Sequence, residues 1–380
     1  MEIQRTLLHQ LIAEGPPIGK VWLLIGPRRV GKTRLVQAFL QTTQLKPLVL
    51  NGESAEAQQL LAPASIAHYK RLLQGIELLV IDEAQAVPAI GQRLKLIVDE
   101  LPGLRILATG SSPLQLQHST GEPLTGRVHT RYLLPVWQQE LQPTENILQT
   151  RQNLSDRLVL GSYPELFNLP TRAQQEEYLR EIVASYLLKD ILQLTNIRNP
   201  AQLRKLLQLV AYQIGQEVSL NELASSLQIQ RPTVQTYLDL LEQVFVLRRV
   251  GGYSGNLRKE VVKSAKYYFY DLGIRNALIA DFRLLPQRQD IGALWENYCI
   301  AERLKQLNYS RLHNNTYFWR TYDQQEIDWV EAAPDHLAGY ELKYTPPART
   351  KPPVAWAKAY PHATYQVVTP ENYLDFILPG

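Results

Sequence analysis

Gly26-Pro27-Arg28-Arg29-Val30-Gly31-Lys32-Thr33 sets two glycines around four residues and follows them with Lys-Thr. That spacing predicts a loop whose backbone N–H groups turn inward on phosphate oxygens. The apolar run Val21–Ile25 precedes it and the amphipathic run Lys32–Gln41 follows, so the loop joins a strand to a helix N-terminus, which itself favours anions. Gly26, Pro27, Arg28, Arg29, Val30, Gly31, Lys32, Thr33 and Arg34 are the expected nucleotide contacts. Lys32 supplies a point charge for the terminal phosphates, and the Thr33 hydroxyl is a magnesium ligand. ATP and Mg2+ are the expected ligands.

A second stretch, Leu78-Leu-Val-Ile-Asp82-Glu83, reads as a buried strand ending in two carboxylates. At the carboxyl edge of a parallel sheet, Asp82 would hold the magnesium shell and Glu83 would orient or deprotonate the attacking water. A third apolar run ends in Thr109-Gly-Ser111, which brings hydroxyls to the same edge. Thr109 or Ser111 would contact the terminal phosphate or the water, although Thr-Gly-Ser-Ser is also ordinary turn chemistry.

At 380 residues the chain is long enough for two or three domains. Its 45% hydrophobic and 20% charged residues are those of a globular protein, and a net charge of +4 neither demands nor forbids nucleic acid. No apolar run reaches the length of a membrane span. One cysteine, Cys299, permits no internal disulfide and no cysteine zinc site. The opening Met-Glu-Ile-Gln-Arg lacks the pattern of a secretory signal, so a cytoplasmic location is expected.

Short apolar runs alternate with helical patterns over residues 1–165, predicting a parallel α/β sheet with strands at Val21–Ile25, Pro47–Leu50, Leu78–Ile81, Ile106–Thr109 and Arg131–Val136. Residues 166–198 turn to helix alone, with Arg172–Leu194 as a lid or connector. Residues 199–272 read as three helices and an apolar hairpin. Ser219-Leu-Asn-Glu opens one helix with a capping box, and Arg231-Pro opens the next. Residues 273–380 carry one amphipathic helix, Ala293–Leu307, and strands at Thr316–Arg320, Glu326–Glu331, Gly339–Tyr344 and Ala363–Thr369.

Together with Leu124-Thr-Gly-Arg127, Gly161-Ser-Tyr-Pro-Glu165, Tyr267-Tyr-Phe-Tyr-Asp-Leu-Gly273, Ala293-Leu-Trp-Glu-Asn, Glu326-Ile-Asp-Trp and Glu341-Leu-Lys, these motifs give the chain a family likeness over nearly its whole length. It resembles bacterial and archaeal AAA-type P-loop ATPases fused to a C-terminal domain of unknown function with a restriction-endonuclease-like fold. The resemblance implies an AAA-type domain, a helical lid, a winged helix and a C-terminal α/β domain of that nuclease-like kind. It makes Arg127 a candidate arginine finger, whose fixed charge and forked donors suit phosphate oxygens. A basic residue beside a strand is the alternative. Gly161 and Pro164 resemble the stretch near the adenine in related ATPases, or form a tight packing turn.

Ser219–Gln243 followed by the hairpin Val244–Tyr270 matches a winged helix. Arg248, Arg249, Arg258, Lys259, Lys263 and Lys266 form a basic strip against the single acid Glu260, suited to phosphates of DNA. Arg231, Thr233, Gln235 and Thr236 suit hydrogen bonding in a groove, whereas Asp239 and Glu242 oppose phosphates. A protein interface is the alternative use, and an oligomer is open.

In the C-terminal block, Glu341 and Lys343 share one strand face, and Asp328 sits mid-strand, where an unpaired carboxylate is costly. The order helix Glu296, strand Asp328, strand Glu341-x-Lys343 resembles the PD-(D/E)XK phosphodiesterase core. A divalent ion held by Asp328 and Glu341, with Lys343 at the water and Glu296 completing the cluster, is the expectation. A structural ion pair with Lys343 is its alternative.

Overall fold

Four apolar runs become the strands β1 (Val21–Ile25), β2 (Pro47–Asn51), β3 (Leu78–Asp82) and β4 (Arg105–Gly110), and Val128–Tyr132 adds β5. The computed structural model describes residues 3–111, 124–187, 199–254, 265–347 and 350–379, in two compact units that divide between Leu134 and Pro135. In the first unit all five strands run parallel in the order β2-β3-β4-β1-β5. Every residue of β1 is buried, as are the first four of β3, which is why both read as unbroken apolar runs. Because β4 lies between β1 and β3, the loop after β1, the carboxylates ending β3 and the hydroxyl ending β4 share one sheet edge.

The last strand differs from its expected place at Arg131–Val136. It pairs with β1 from Val128 to Tyr132, and the buried apolar residues Leu133, Leu134 and Val136 follow it. An edge strand covered on fewer sides needs no continuous apolar run: Val128 to Arg131 are half-buried and Tyr132 is exposed. The apolar signal therefore marked the buried exit of the strand.

The second unit opens with the helices Gln138–Leu141, Ile147–Leu160 and Arg172–Glu181. The last of these passes into a π-helical turn, Ile182–Leu187, and the rest of the expected helix to Leu194 lies outside the described residues. Three helices follow, Pro200–Tyr212, Leu220–Leu227 and Arg231–Gln243, then β7 (Leu247–Gly252) and β8 (Ala265–Phe269), with the short β6 (Glu217–Val218) among them. Beyond the helices Leu272–Leu278 and Ile291–Tyr309 come β9 (Asn315–Arg320), β10 (Glu326–Ala333), β11 (His336–Leu342) and β12 (Thr364–Val368).

All seven strands form one mixed sheet, ordered β12-β11-β10-β9-β7-β8-β6. The join is the short parallel pairing of Gly251 and Gly252 on β7 with Tyr317 and Phe318 on β9. Strands from the segments expected as 199–272 and 273–380 thus share backbone hydrogen bonding. The Ser219 cap forms, with its hydroxyl accepting from Glu222 N at 3.3 Å, but the Glu222 carboxylate accepts from Gln213 Nε2 at 3.2 Å. A tertiary partner has taken the acid that a capping box would return to the backbone. No helix among the described residues is long and apolar enough to cross a membrane.

Two of the singled-out motifs meet in packing. Gly161 ends the helix Ile147–Leu160 at φ 75°, and a Cβ there would lie 2.2 Å from Asp271 Oδ1. Asp271 accepts from Ser162 N at 2.7 Å and, capping the helix Leu272–Leu278, from Ile274 N at 3.2 Å. Gly273 lets that helix approach so closely that a Cβ would meet Leu160 O at 2.1 Å. The wholly buried Asn276 donates to Leu158 O at 3.2 Å and Val159 O at 2.8 Å. Both motifs carry the geometry of the tight-packing alternative.

Candidate functional site

The phosphate loop is bent as its glycines require. Gly31 sits at φ 95°, the left-handed region open to glycine at little cost, and a Cβ on Gly26 would lie 2.1 Å from Leu133 O. Lys32 is buried at the start of the helix Lys32–Thr42, and its ammonium donates to Gly26 O at 2.9 Å and Pro27 O at 3.1 Å. The charge is therefore folded over the loop itself. Arg5 holds the loop from behind, donating to Val30 O at 2.8 Å and Leu134 O at 2.6 Å. Nothing in the sequence marks Arg5, since its two partners are backbone carbonyls 25 and 129 residues away.

Across the edge, the Thr33 hydroxyl donates to Asp82 Oδ2 at 2.7 Å, and the Thr109 hydroxyl donates to Asp82 Oδ1. Thr109 Oγ1 in turn accepts from Glu83 N at 3.0 Å. Glu83 adopts φ 48°, a left-handed backbone that costs a non-glycine residue on the order of 1 kcal/mol. Gly52 packs over this bend, where a Cβ would meet Glu83 O at 2.4 Å. The Gln85 side-chain amide donates to the Glu83 carboxylate. Lys32, Thr33, Asp82, Glu83 and Thr109 are thereby gathered at one sheet edge. Ser111 is buried beyond β4, and Arg34 is exposed on the helix. Hard hydroxyl and carboxylate oxygens beside an ammonium and a helix N-terminus fit a nucleotide with its magnesium ion.

Arg127 lies elsewhere. It immediately precedes β5, whose Val128 pairs with Val21 and whose Tyr132 pairs with Ile25. The phosphate loop follows Ile25, so about five residues of strand, roughly 16 Å, separate the two ends. Its Nε donates to Asp99 Oδ1 at 2.6 Å, with both side chains 37% exposed.

In the second unit the four expected carboxylate-cluster residues do converge, and they bring company. Glu296 comes from the helix Ile291–Tyr309, Glu326 and Asp328 from one face of β10, Glu341 from β11, and Lys343 just after it. Lys343 Nζ lies 2.6 Å from Glu341 Oε1 and 3.6 Å from Asp328 Oδ2, which also accepts from Leu342 N at 2.8 Å. Lys266 on β8, only 2% exposed, reaches 3.2 Å from Glu296 and 2.5 Å from Glu326, its ammonium over the Phe318 ring. Tyr268 donates to Glu296 Oε1 at 2.6 Å.

Burial, reinforced by Asp328, pushes Glu296 up to about 7 and Glu341 likewise to about 7. Burial pulls the Lys266 pKa down, yet Glu296, Asp328 and Glu326 outweigh it and hold it above the ordinary lysine value. Among the described residues, no three His, Cys, Asp or Glu side chains are disposed to hold a metal ion. Lys343 lies within ion-pair distance of both Asp328 and Glu341, the two residues expected to share a metal.

Of the expected basic strip, Arg248, Arg249 and Lys266 lie within the described residues. Lys266 points into the cluster rather than to solvent, with its ammonium beside Glu296 and Glu326 and over the Phe318 ring. Arg248 lies 3.5 Å from Glu242, and Arg258, Lys259, Glu260 and Lys263 lie outside the described residues. On the helix Arg231–Gln243, Gln235 donates to Asp239 at 2.7 Å and Thr236 to Pro232 O at 2.9 Å. A concavity of about 360 Å³ is lined by Ser219, Arg231, Gln235, Arg249 and Tyr267.

Comparison with known proteins divides the chain in three. Residues 19–142 match the AAA domain family, residues 151–285 a domain of unknown function (DUF8612), and residues 291–375 a second one (DUF4143). The first unit is therefore an AAA-type P-loop ATPase domain. The uncharacterized protein Rv2008c of Mycobacterium tuberculosis is 30% identical over 337 residues, covering 86% of this chain and 70% of that protein. An uncharacterized protein of Haemophilus influenzae is 23% identical over 362 residues, covering 86% and 83%. Among solved structures, the Walker-type ATPase of Pyrococcus abyssi aligns with 72% of this chain and 94% of its own, at 16% identity and a TM-score of 0.49.

Proposed function

The chain belongs to the family of that mycobacterial protein and carries an AAA domain, and from this premise we propose that it is a magnesium-dependent ATPase whose nucleotide state governs binding of DNA by its second unit. The hydrogen-bonded series Thr33–Asp82–Thr109–Glu83 carries the hydrolytic part of the proposal. Lys32 and the loop N–H groups bind the phosphates. Thr33 and Asp82 hold the magnesium ion, which when bound offsets charge on the phosphate oxygens. Glu83, fixed by its strained backbone and by Gln85, accepts a proton from the attacking water or orients it. Thr109 ties the position of Glu83 to that of Asp82, so that a change at the metal ligand reaches the water-facing carboxylate.

Arg127 completes this site from a second copy of the chain. Its position at the far end of β5 supports action in trans rather than on its own phosphate loop. Phosphate release from ATP should require Mg2+, stop on chelation with EDTA, and be lost in Lys32→Ala. Release that survives both treatments rules the proposal out.

The concavity lined by Arg231, Gln235 and Arg249 supports a winged-helix surface that meets DNA phosphates. Duplex DNA should shift in a gel, the shift should weaken with rising salt, and Arg231→Ala with Arg249→Ala should weaken it further. An unshifted duplex, with ATP turnover indifferent to DNA, would leave that surface to a protein partner. The helix Glu296, strand Asp328 and strand Glu341-x-Lys343 support a nuclease-like architecture for residues 273–380, read as a binding module. Two ammonium groups among the carboxylates do not fit a divalent ion, so no cleavage is assigned to it.

A further inference from the structure

Four carboxylates, those of Glu296, Glu326, Asp328 and Glu341, come together in the second unit with two ammonium groups among them. A cluster of that charge, largely removed from water, must be neutralised by protons, by a metal ion or by side-chain cations. Lys343 has a ready place in such a cluster and is 43% exposed, so it can swing away. Lys266 has no such freedom. It is 2% exposed, paired within β8 to both β6 and β7, in contact with acids from both the helix and β10, and seated over an aromatic ring. Tyr268, two residues along the same strand face, donates a further hydrogen bond to Glu296. Every element that supplies an acid to the cluster is thus tied to a donor from β8, β11 or the residue after it. On Glu341, by contrast, Oε2 is buried without a hydrogen-bond partner among the described residues, so the side of the cluster toward β11 is the one left incompletely satisfied.

We propose that Lys266 is a built-in counter-cation that neutralises the carboxylate cluster where a divalent ion would otherwise sit, so that the second unit folds and works without recruiting one. The inference rests on the nuclease-like reading of Glu296, Asp328, Glu341 and Lys343, and it assigns to Lys266 a role outside that motif. Its physical basis is competition. An ammonium within contact distance of Glu296 and Glu326 repels a divalent ion approaching the same cluster and already holds one oxygen of each of those two acids. Removing it leaves an acidic pocket with an uncompensated charge, which a divalent ion relieves.

The probe is Mn2+ binding to the full chain without nucleotide, read as loss of the free-ion signal in electron paramagnetic resonance. Asp82→Asn is the background throughout, which removes the carboxylate expected at the ATP-linked site. Lys266→Met should tighten Mn2+ binding by at least about tenfold, and adding Asp328→Asn should reverse the gain. Because Lys266→Met strands two buried acids, Lys266→Met with Glu326→Gln is the companion variant, removing the closest ion pair as a unit, and melting by circular dichroism reports that it is folded. Folded variants that gain no Mn2+ affinity overturn the inference. So does Asp328-dependent binding already as tight with Lys266 in place. Incubating the same variants with plasmid DNA and Mn2+ separates the two readings: gained metal without cutting upholds Lys266 as the counter-cation and the binding-module reading together, whereas cutting that appears with the gained metal overturns the binding-module reading alone.

Discussion

Asp82 accepts from Thr33 and from Thr109 at once, and that convergence draws together three strand ends far apart in sequence. All three contacts were legible as residues, because a phosphate loop, an apolar strand ending in acids and a Thr-Gly turn each announce themselves by spacing. Arg5 and Lys266 were not. Arg5 acts on two backbone carbonyls, which carry no side-chain signature, and Lys266 looks from sequence like one more cation in a basic hairpin. Its acids lie 30 and 60 positions later: the helix Ile291–Tyr309 brings Glu296 to it, and the pairing of β7 with β9 joins it to the sheet that carries Glu326. Arg127 is the residue whose identity was legible and whose location was not. Mixing Arg127→Ala with Lys32→Ala should restore phosphate release that neither variant shows alone, since each supplies what the other lacks. Arg127→Ala with full activity by itself would leave Arg127 to its pairing with Asp99.

At the level of elements, buried strands and long helices were placed within a few residues, and the misplacements have local causes. The edge strand β5 has no apolar run of its own, so the buried residues after it drew the expectation downstream. Glu222 was claimed by Gln213 instead of its own helix start. The contact of the helix Leu272–Leu278 against the end of Ile147–Leu160 was hidden because its motifs are 110 residues apart and meet through a glycine and a buried amide. Gly273→Ala should therefore destabilise the second unit by about 1–3 kcal/mol, the usual cost of forcing atoms into a filled site. Chemical denaturation monitored by tryptophan fluorescence reads this as a lower midpoint. An unchanged midpoint would mean that the helix can back away from Leu160 O at no cost.

Over the whole molecule, the sequence made an AAA-type parallel sheet and a following mixed α/β region legible, but it did not reveal that strands before and after residue 272 share one sheet. A boundary drawn from composition cannot see a two-residue pairing such as Gly251 and Gly252 with Tyr317 and Phe318. One consequence is that the strands β7 and β8 and the strands that carry Glu326, Asp328 and Glu341 belong to one hydrogen-bonded sheet. The proposal that Lys32, Thr33, Asp82 and Glu83 of the first unit bind and hydrolyse ATP is the one on which the rest depends. Steady-state phosphate release by Glu83→Gln, set beside its binding of a fluorescent ATP analogue, tests it most directly. Retained binding with turnover reduced by about 10²–10⁴-fold, the usual worth of a positioned general base, is the predicted result. Turnover equal to that of the unaltered chain would contradict it.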